Sequence, residues 1–218
     1  KKDKKIKENF EINKINTADF AKKLLSQIVF LFFLQRKGWL GVGVNQRWGE
    51  GPKNFLQKLF NGDYCEYKNF FNEVLEPLFY DALASKKEND FYPRFNCKMP
   101  FLNGGLFDPI LNYNWKNTDI ILPNELFSND IKINSVNTGT GILDVFERYN
   151  FTVKEDEPLE KEVAVDPEML GKIFENLLEI TDRKSKGTVY TPREIVAYIC
   201  ETVLIEYLYS YINKFEPL

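Results

Sequence analysis

The stretch that most constrains this chain is TADFAKKLLSQIVFLFFLQRK, residues 17–37. Phe20, Leu24, Ile28 and Leu31 recur at helical spacing, and from Ile28 to Leu34 the apolar residues go all the way round. A helix apolar on every side has no face for water, so it belongs at the buried centre of a bundle. Gly38 is a natural C-terminal stop. The segments that could wrap this centre follow from pattern. Residues 53–61 and 67–85 read as helices, the second with a heavy apolar face of Phe70, Phe71, Val74, Leu75, Leu78 and Phe79. TDIILPNELF (118–127) predicts a short strand and then a helix entered through Pro123, and 141–149 predicts another helix. KMPFLNGGLFDP (98–109) is a loop with a tight turn at Asn103–Gly105, and its apolar flanks predict that it packs down. YNFTVKEDEPLEKEVAV (149–165) alternates at both ends around an acidic middle, the pattern of a β-hairpin. Asp166-Pro167 then opens a helix over 167–179. The expected fold class is mainly α: a multi-helical bundle with a small β-hairpin.

Composition narrows the chemistry. There is no histidine in the 218 residues, which removes Ser-His and Cys-His nucleophiles, imidazole acid–base work and histidine metal sites from this segment. Cys65, Cys97 and Cys200 are far apart, with no CxxC pair, and read as reduced thiols of a cytoplasmic protein rather than a disulfide frame or a zinc site. A net charge of −3 and a pI near 5.3 exclude a broadly basic nucleic-acid coat but leave room for a local basic face. The apolar run 24–34 is too short to span a bilayer and contains Ser26 and Gln27, so no membrane partner is expected. The chain starts without Met, and the expectation is a piece of something longer.

Several motif-like stretches resolve into bland readings. GVGVNQRWGEGP (41–52) has Gln46 where the third glycine of a dinucleotide fingerprint should stand, so it reads as a plain glycine loop. Around it lie Arg36, Lys37, Arg47 and Lys53, the basic residues best placed to touch a nucleic-acid backbone. Asp63, Glu66 and Lys68 imitate part of a metal-dependent nuclease site, but their flanks read helical and the acids are too close in sequence. Glu155, Asp156 and Glu157 lack EF-hand spacing and read as a solvated turn. No catalytic residue and no metal ligand is assigned.

The most informative stretch is GTVYTPREIVAYIC, residues 187–200. Thr191 reads as an N-cap, Pro192 as the first helical residue, and Glu194 as the partner that closes a capping box. Tyr190 and Ile195 have the spacing of a hydrophobic staple. The helix is expected to run to about Tyr209, with Ile195, Ile199 and Val203 in line. The free N–H groups of such a helix start, at the positive end of its dipole, suit a carboxylate or a phosphate. The polar run 181–187 before it is the expected domain boundary.

KGTVYTPREIVAYI (186–199) resembles motif X of the N6-adenine DNA methyltransferases. With IVFLFFLQRKGWL (28–40), MPFLNGGLF (99–107) and the stretch 149–178 in the same order, the chain resembles the combined restriction–modification enzymes of type IIG. The phage-exclusion methyltransferases of the PglX kind are similar too. The resemblance implies a helical connector domain over 1–180. Over 181–218 it implies the first elements of an α/β methyltransferase domain, cut short. It implies S-adenosylmethionine as cofactor, with Thr191 meeting its carboxylate, Pro192 fixing the turn and Tyr190 lining the pocket. DNA would be the partner of the longer enzyme. The glycine-rich cofactor loop that follows motif X and the Asn-Pro-Pro-aromatic motif do not occur in these residues, so the segment alone is expected neither to methylate nor to cut. The alternative reading is a helical interaction or scaffold module without a cofactor role.

Overall fold

The computed structural model describes residues 2–102, 105–109, 113–133, 138–148, 191 and 193–212. The chain divides into two compact units, Lys1–Asp166 and Pro167–Leu218. The expected hairpin at 149–165, the acidic run within it, the helix at 167–179 and the boundary at 180/181 all lie outside the described residues.

The first unit is helical and built around one element. Helices α1 (Lys2–Ile12), α2 (Thr17–Arg36) and α3 (Phe55–Phe60) open it. α2 starts where Asn16 Oδ1 accepts from the backbone N–H groups of Ala18 and Asp19, at 2.8 and 3.2 Å. It ends where Gly38 takes a φ of +69° and the Trp39 N–H returns to the Leu34 carbonyl at 3.0 Å. Along the all-apolar stretch, Ile28, Leu31 and Phe32 are completely buried, as a central helix requires. Burial is stabilising here at about 1.5–3 kcal/mol per large side chain. The two buried glutamines of α2 serve as ties. Gln35 Oε1 accepts from the N–H of Leu56 at the start of α3, and Gln27 Nε2 donates to the carbonyl of Leu106. Lys23 Nζ donates to the carbonyl of Gly105 as well, so the loop around 105–107 is pinned down onto α2, as its apolar flanks foretold.

Residues 70–83 form α4, whose turns Phe71–Leu75 and Leu78–Leu83 are π-helical. Pro77 sits between them with no N–H to give, and its ring displaces the carbonyl four residues back. That carbonyl, of Glu73, accepts instead from the Arg94 guanidinium. The N–H of Glu76 reaches five residues back, to Phe71. Two short strands follow, β1 (Phe91–Tyr92) and β2 (Cys97–Lys98), antiparallel with Phe91 opposite Lys98 and Tyr92 opposite Cys97. Asn96, at φ +49°, turns the chain between them. This small hairpin is the strand pair among the described residues. The strand expected at 118–122 is not there. Asn69 Nδ2 takes the Leu122 carbonyl at 2.6 Å, and that side-chain bond holds the segment as a loop. The helix expected after Pro123 is a single 3-10 turn, Asn124–Leu126. α5 (Ile142–Glu147) is the last described helix of the unit, with Asp144 accepting from Gly141 N, Asn129 N and Ser128 Oγ.

In the second unit the described element is α6, Arg193–Ile212, which runs three residues past the expected Tyr209. By length and composition alone, 194–212 is long and apolar enough to cross a membrane, with a mean hydropathy of 1.4. The shorter run at 24–34, weighed above for that role, is instead bundle core.

Candidate functional site

α6 starts at Arg193, two residues after Thr191. Thr191 is exposed, and Tyr190 and Pro192 lie outside the described residues. The first-turn N–H groups of a twenty-residue helix have no partner within the helix, so an acceptor beside Thr191 is electrostatically favoured. Glu194, an acid in that first turn, already answers part of the dipole.

The glycine loop is a closed and rigid structure. The carbonyl of Gly38 accepts from both Gly49 N and Gly51 N, at 3.1 and 3.0 Å. Gln46 Oε1 caps Gly43 N at 2.8 Å, and Glu50 Oε2 accepts from Arg47 N at 2.9 Å. β2 docks on it through Lys98 N to Val42 O at 2.7 Å and Val42 N to Lys98 O at 3.3 Å. A Cβ added at Gly51 would stand 2.3 Å from the Leu40 carbonyl oxygen. Gly51→Ala is therefore expected to lower stability by about 1–3 kcal/mol, the usual cost of overpacking, as read by urea unfolding.

The structure sorts the four expected basic residues. Arg36 is half-buried and pairs with Glu147 at 3.9 Å, where burial raises the Glu147 carboxyl; Arg36 is thus a tie between α2 and α5, not a free surface cation. Lys37, Arg47 and Lys53 are exposed. Lys98, not singled out above and half-buried, lies beside this loop: its Nζ is 5.8 Å from the Trp48 ring centre and donates to the Gln46 carbonyl.

Asp63, Glu66 and Lys68 are all exposed on the connection between α3 and α4, not on strands. Among the described residues no three acid or thiol side chains converge as a metal would need.

A buried polar group was missed in the sequence. Glu76 is completely buried, and Tyr113 Oη donates to its Oε1 at 2.5 Å. Burial pushes its carboxyl up to about 8, against the smaller opposing effect of the Tyr113 hydrogen bond and with Asp119 adding to the rise. Burial likewise pushes Tyr80 up to about 12; it packs edge-on to Tyr113 with ring centres 6.0 Å apart. At ordinary helical spacing Glu76 would point away from the Phe70–Phe79 face, whereas the five-residue step of the π turn stacks it over Phe71. Pro77 just after it was the available signal.

Comparison with known proteins is sparse. No family model matches the chain, and no solved structure does. Over 202 residues, 88% of its length, it is 31% identical to a protein of Methanocaldococcus jannaschii designated, by name alone, a type II restriction enzyme and methyltransferase. The chain spans 15% of that protein's length. It is thus a distant relative of a protein bearing a restriction–modification and methyltransferase name.

Proposed function

We propose that the chain is the helical connector and motif X of an N6-adenine DNA methyltransferase of the restriction–modification class, working as part of a longer polypeptide. The observation that carries this reading is the 31% identity over 202 residues to the Methanocaldococcus jannaschii protein. Support comes from a long helix that opens beside an exposed Thr191, within the stretch that resembles motif X. The residues suit the methionine end of S-adenosylmethionine: a hydroxyl and free N–H groups at a positive helix end would hold its carboxylate. Tyr190 would line the pocket and Pro192 would fix the turn. Bound there, the cofactor supplies an electrophilic methyl group for adenine N6. The segment by itself neither methylates nor cuts.

The test uses the longer polypeptide that contains the remaining methyltransferase motifs. Thr191→Ala is expected to raise the KM for S-adenosylmethionine several-fold, while Thr191→Ser restores it. A scaffold module without a cofactor role would show unchanged methylation kinetics in Thr191→Ala, with a stability loss of about 1 kcal/mol from the lost cap. That outcome rejects the cofactor role.

A further inference from the structure

We infer that the glycine loop is a DNA-backbone contact surface, built from Lys37, Arg47, Lys53 and Lys98 with the indoles of Trp39 and Trp48. The choice of DNA rests on the proposed function; the surface itself rests on its own geometry. Lys37, Arg47 and Lys53 belong to the closed loop or its ends by chain position, and strand pairing adds Lys98. Lys53 Nζ donates to the Gly49 carbonyl at 3.2 Å, and Lys98 is carried in by its backbone pairing with Val42. A lysine that gives one proton to a carbonyl keeps its charge and two further donors. Against these four cations the loop sets one carboxylate, Glu50, which is engaged with Arg47 N.

The aromatic residues point the same way. Trp39 and Trp48 are 41% and 42% exposed, large apolar rings left at the surface of a protein with a well-filled core. Each has a lysine ammonium near its face, Lys37 at 5.3 Å and Lys98 at 5.8 Å from the ring centre. Cations interleaved with exposed rings match a DNA backbone, whose phosphates take the charges and whose sugars pack against the rings. The loop's rigidity helps, because little ordering is needed on binding. The surface also has an edge. An open cleft lined by Val44, Trp48 and Lys98 is lined also by Glu88 and Asp90, while Lys87 there is already paired with Asp81 at 2.6 Å. The Glu88 and Asp90 carboxylates repel phosphates, so Lys98 and Trp48 mark the edge of the contact surface and Lys37, Arg47 and Lys53 carry the rest of it.

The experiment measures binding of a short fluorescein-labelled DNA duplex to the intact chain by anisotropy across a salt series. The double variant Lys37→Gln/Arg47→Gln removes two exposed charges. It is expected to lower the slope of log K against log salt by about 1.8, at roughly 0.9 for each lost phosphate contact. Trp48→Leu is expected to weaken binding with the slope kept. Circular dichroism of each variant checks that the fold is retained. The inference is overturned if the chain does not bind the duplex, if the double variant keeps the wild-type slope, or if polyglutamate displaces the chain's DNA as well as unlabelled duplex does. The two readings fail separately: a Thr191 effect on the methyl-donor KM with unchanged loop binding removes this surface alone.

Discussion

Truncating Phe70 to alanine is expected to destabilise the first unit by about 3–5 kcal/mol, the range for an aromatic ring lost from a close-packed core. Phe70 is completely buried and lies at the junction of three other rings. Its ring centre is 5.0 Å from Phe60, 5.5 Å from Tyr67 and 5.2 Å from Phe127. Those partners come from α3, the α3–α4 connection and the segment after the Asn124–Leu126 turn, so one deletion opens a void between three parts of the chain. The backbone N–H of Phe70, bonded to Asn124 Oδ1 at 2.8 Å, is untouched by the change, which isolates the ring. In thermal unfolding the loss corresponds to a midpoint lower by roughly 10 °C, at about 2–4 °C per kcal/mol for a chain of this size. Phe70→Leu fills most of the space and is expected to cost about 1.5 kcal/mol or less. Phe101→Ala, at a ring 41% exposed, is the control and should stay within about 0.5 kcal/mol. Equal losses for Phe70→Ala and Phe101→Ala would contradict this packing.

The second large effect is a dependence on pH. Unfolded, the Glu76 carboxyl titrates near its ordinary value of 4.5; folded, it holds its proton up to about 8. Between those values the folded state binds the extra proton, so stability falls as pH rises through the window and levels off above about 8. The full loss is on the order of 5 kcal/mol, at about 1.4 kcal/mol for each unit of the shift. Glu76→Gln keeps the shape and an acceptor for Tyr113 but cannot ionise. Its stability is expected to be flat over the same range and to exceed that of the wild type above pH 8. Below pH 5 the order is expected to be reversed or level, since the amide brings an NH₂ group into a place where Glu76 Oε2 has no partner. Urea unfolding of both proteins from pH 5 to 9 measures this directly. A wild-type curve as flat as the variant's would mean that Glu76 does not carry the proton.

Much of the fold was legible because some signals are local and independent of context. The all-apolar stretch of 17–37 could only be a centre, and Gly38 could stop it by adopting a positive φ. The apolar flanks of 98–109 foretold a loop held down, although not that Lys23 and Gln27 would hold it. What escaped depended on partners distant in sequence. The pairing of Arg36 with Glu147 joins residues on two helices, so a charged residue that looked free was committed elsewhere. The TDIIL stretch has the composition of a strand, yet a single amide, Asn69, claims its carbonyl. The π turns of α4 change which residues face inward, and an ordinary helical count therefore put Glu76 outside. The hairpin at Phe91–Lys98 has strands too short to produce alternation. As for the candidate site, the helix start near Thr191 was legible from the Thr-Pro pair, whereas the contribution of Lys98 to the glycine loop was not, because only strand pairing brings it there.

One feature of α6 reaches beyond these residues. Ile195, Val196, Ile199, Val203, Leu204 and Leu208 stand exposed, as do the rings of Tyr198 and Tyr207. A rod with oily side chains on several sides is not satisfied by a neighbour that touches one of them. Apolar side chains spread so widely round a helix suit an enclosed position better than a surface one.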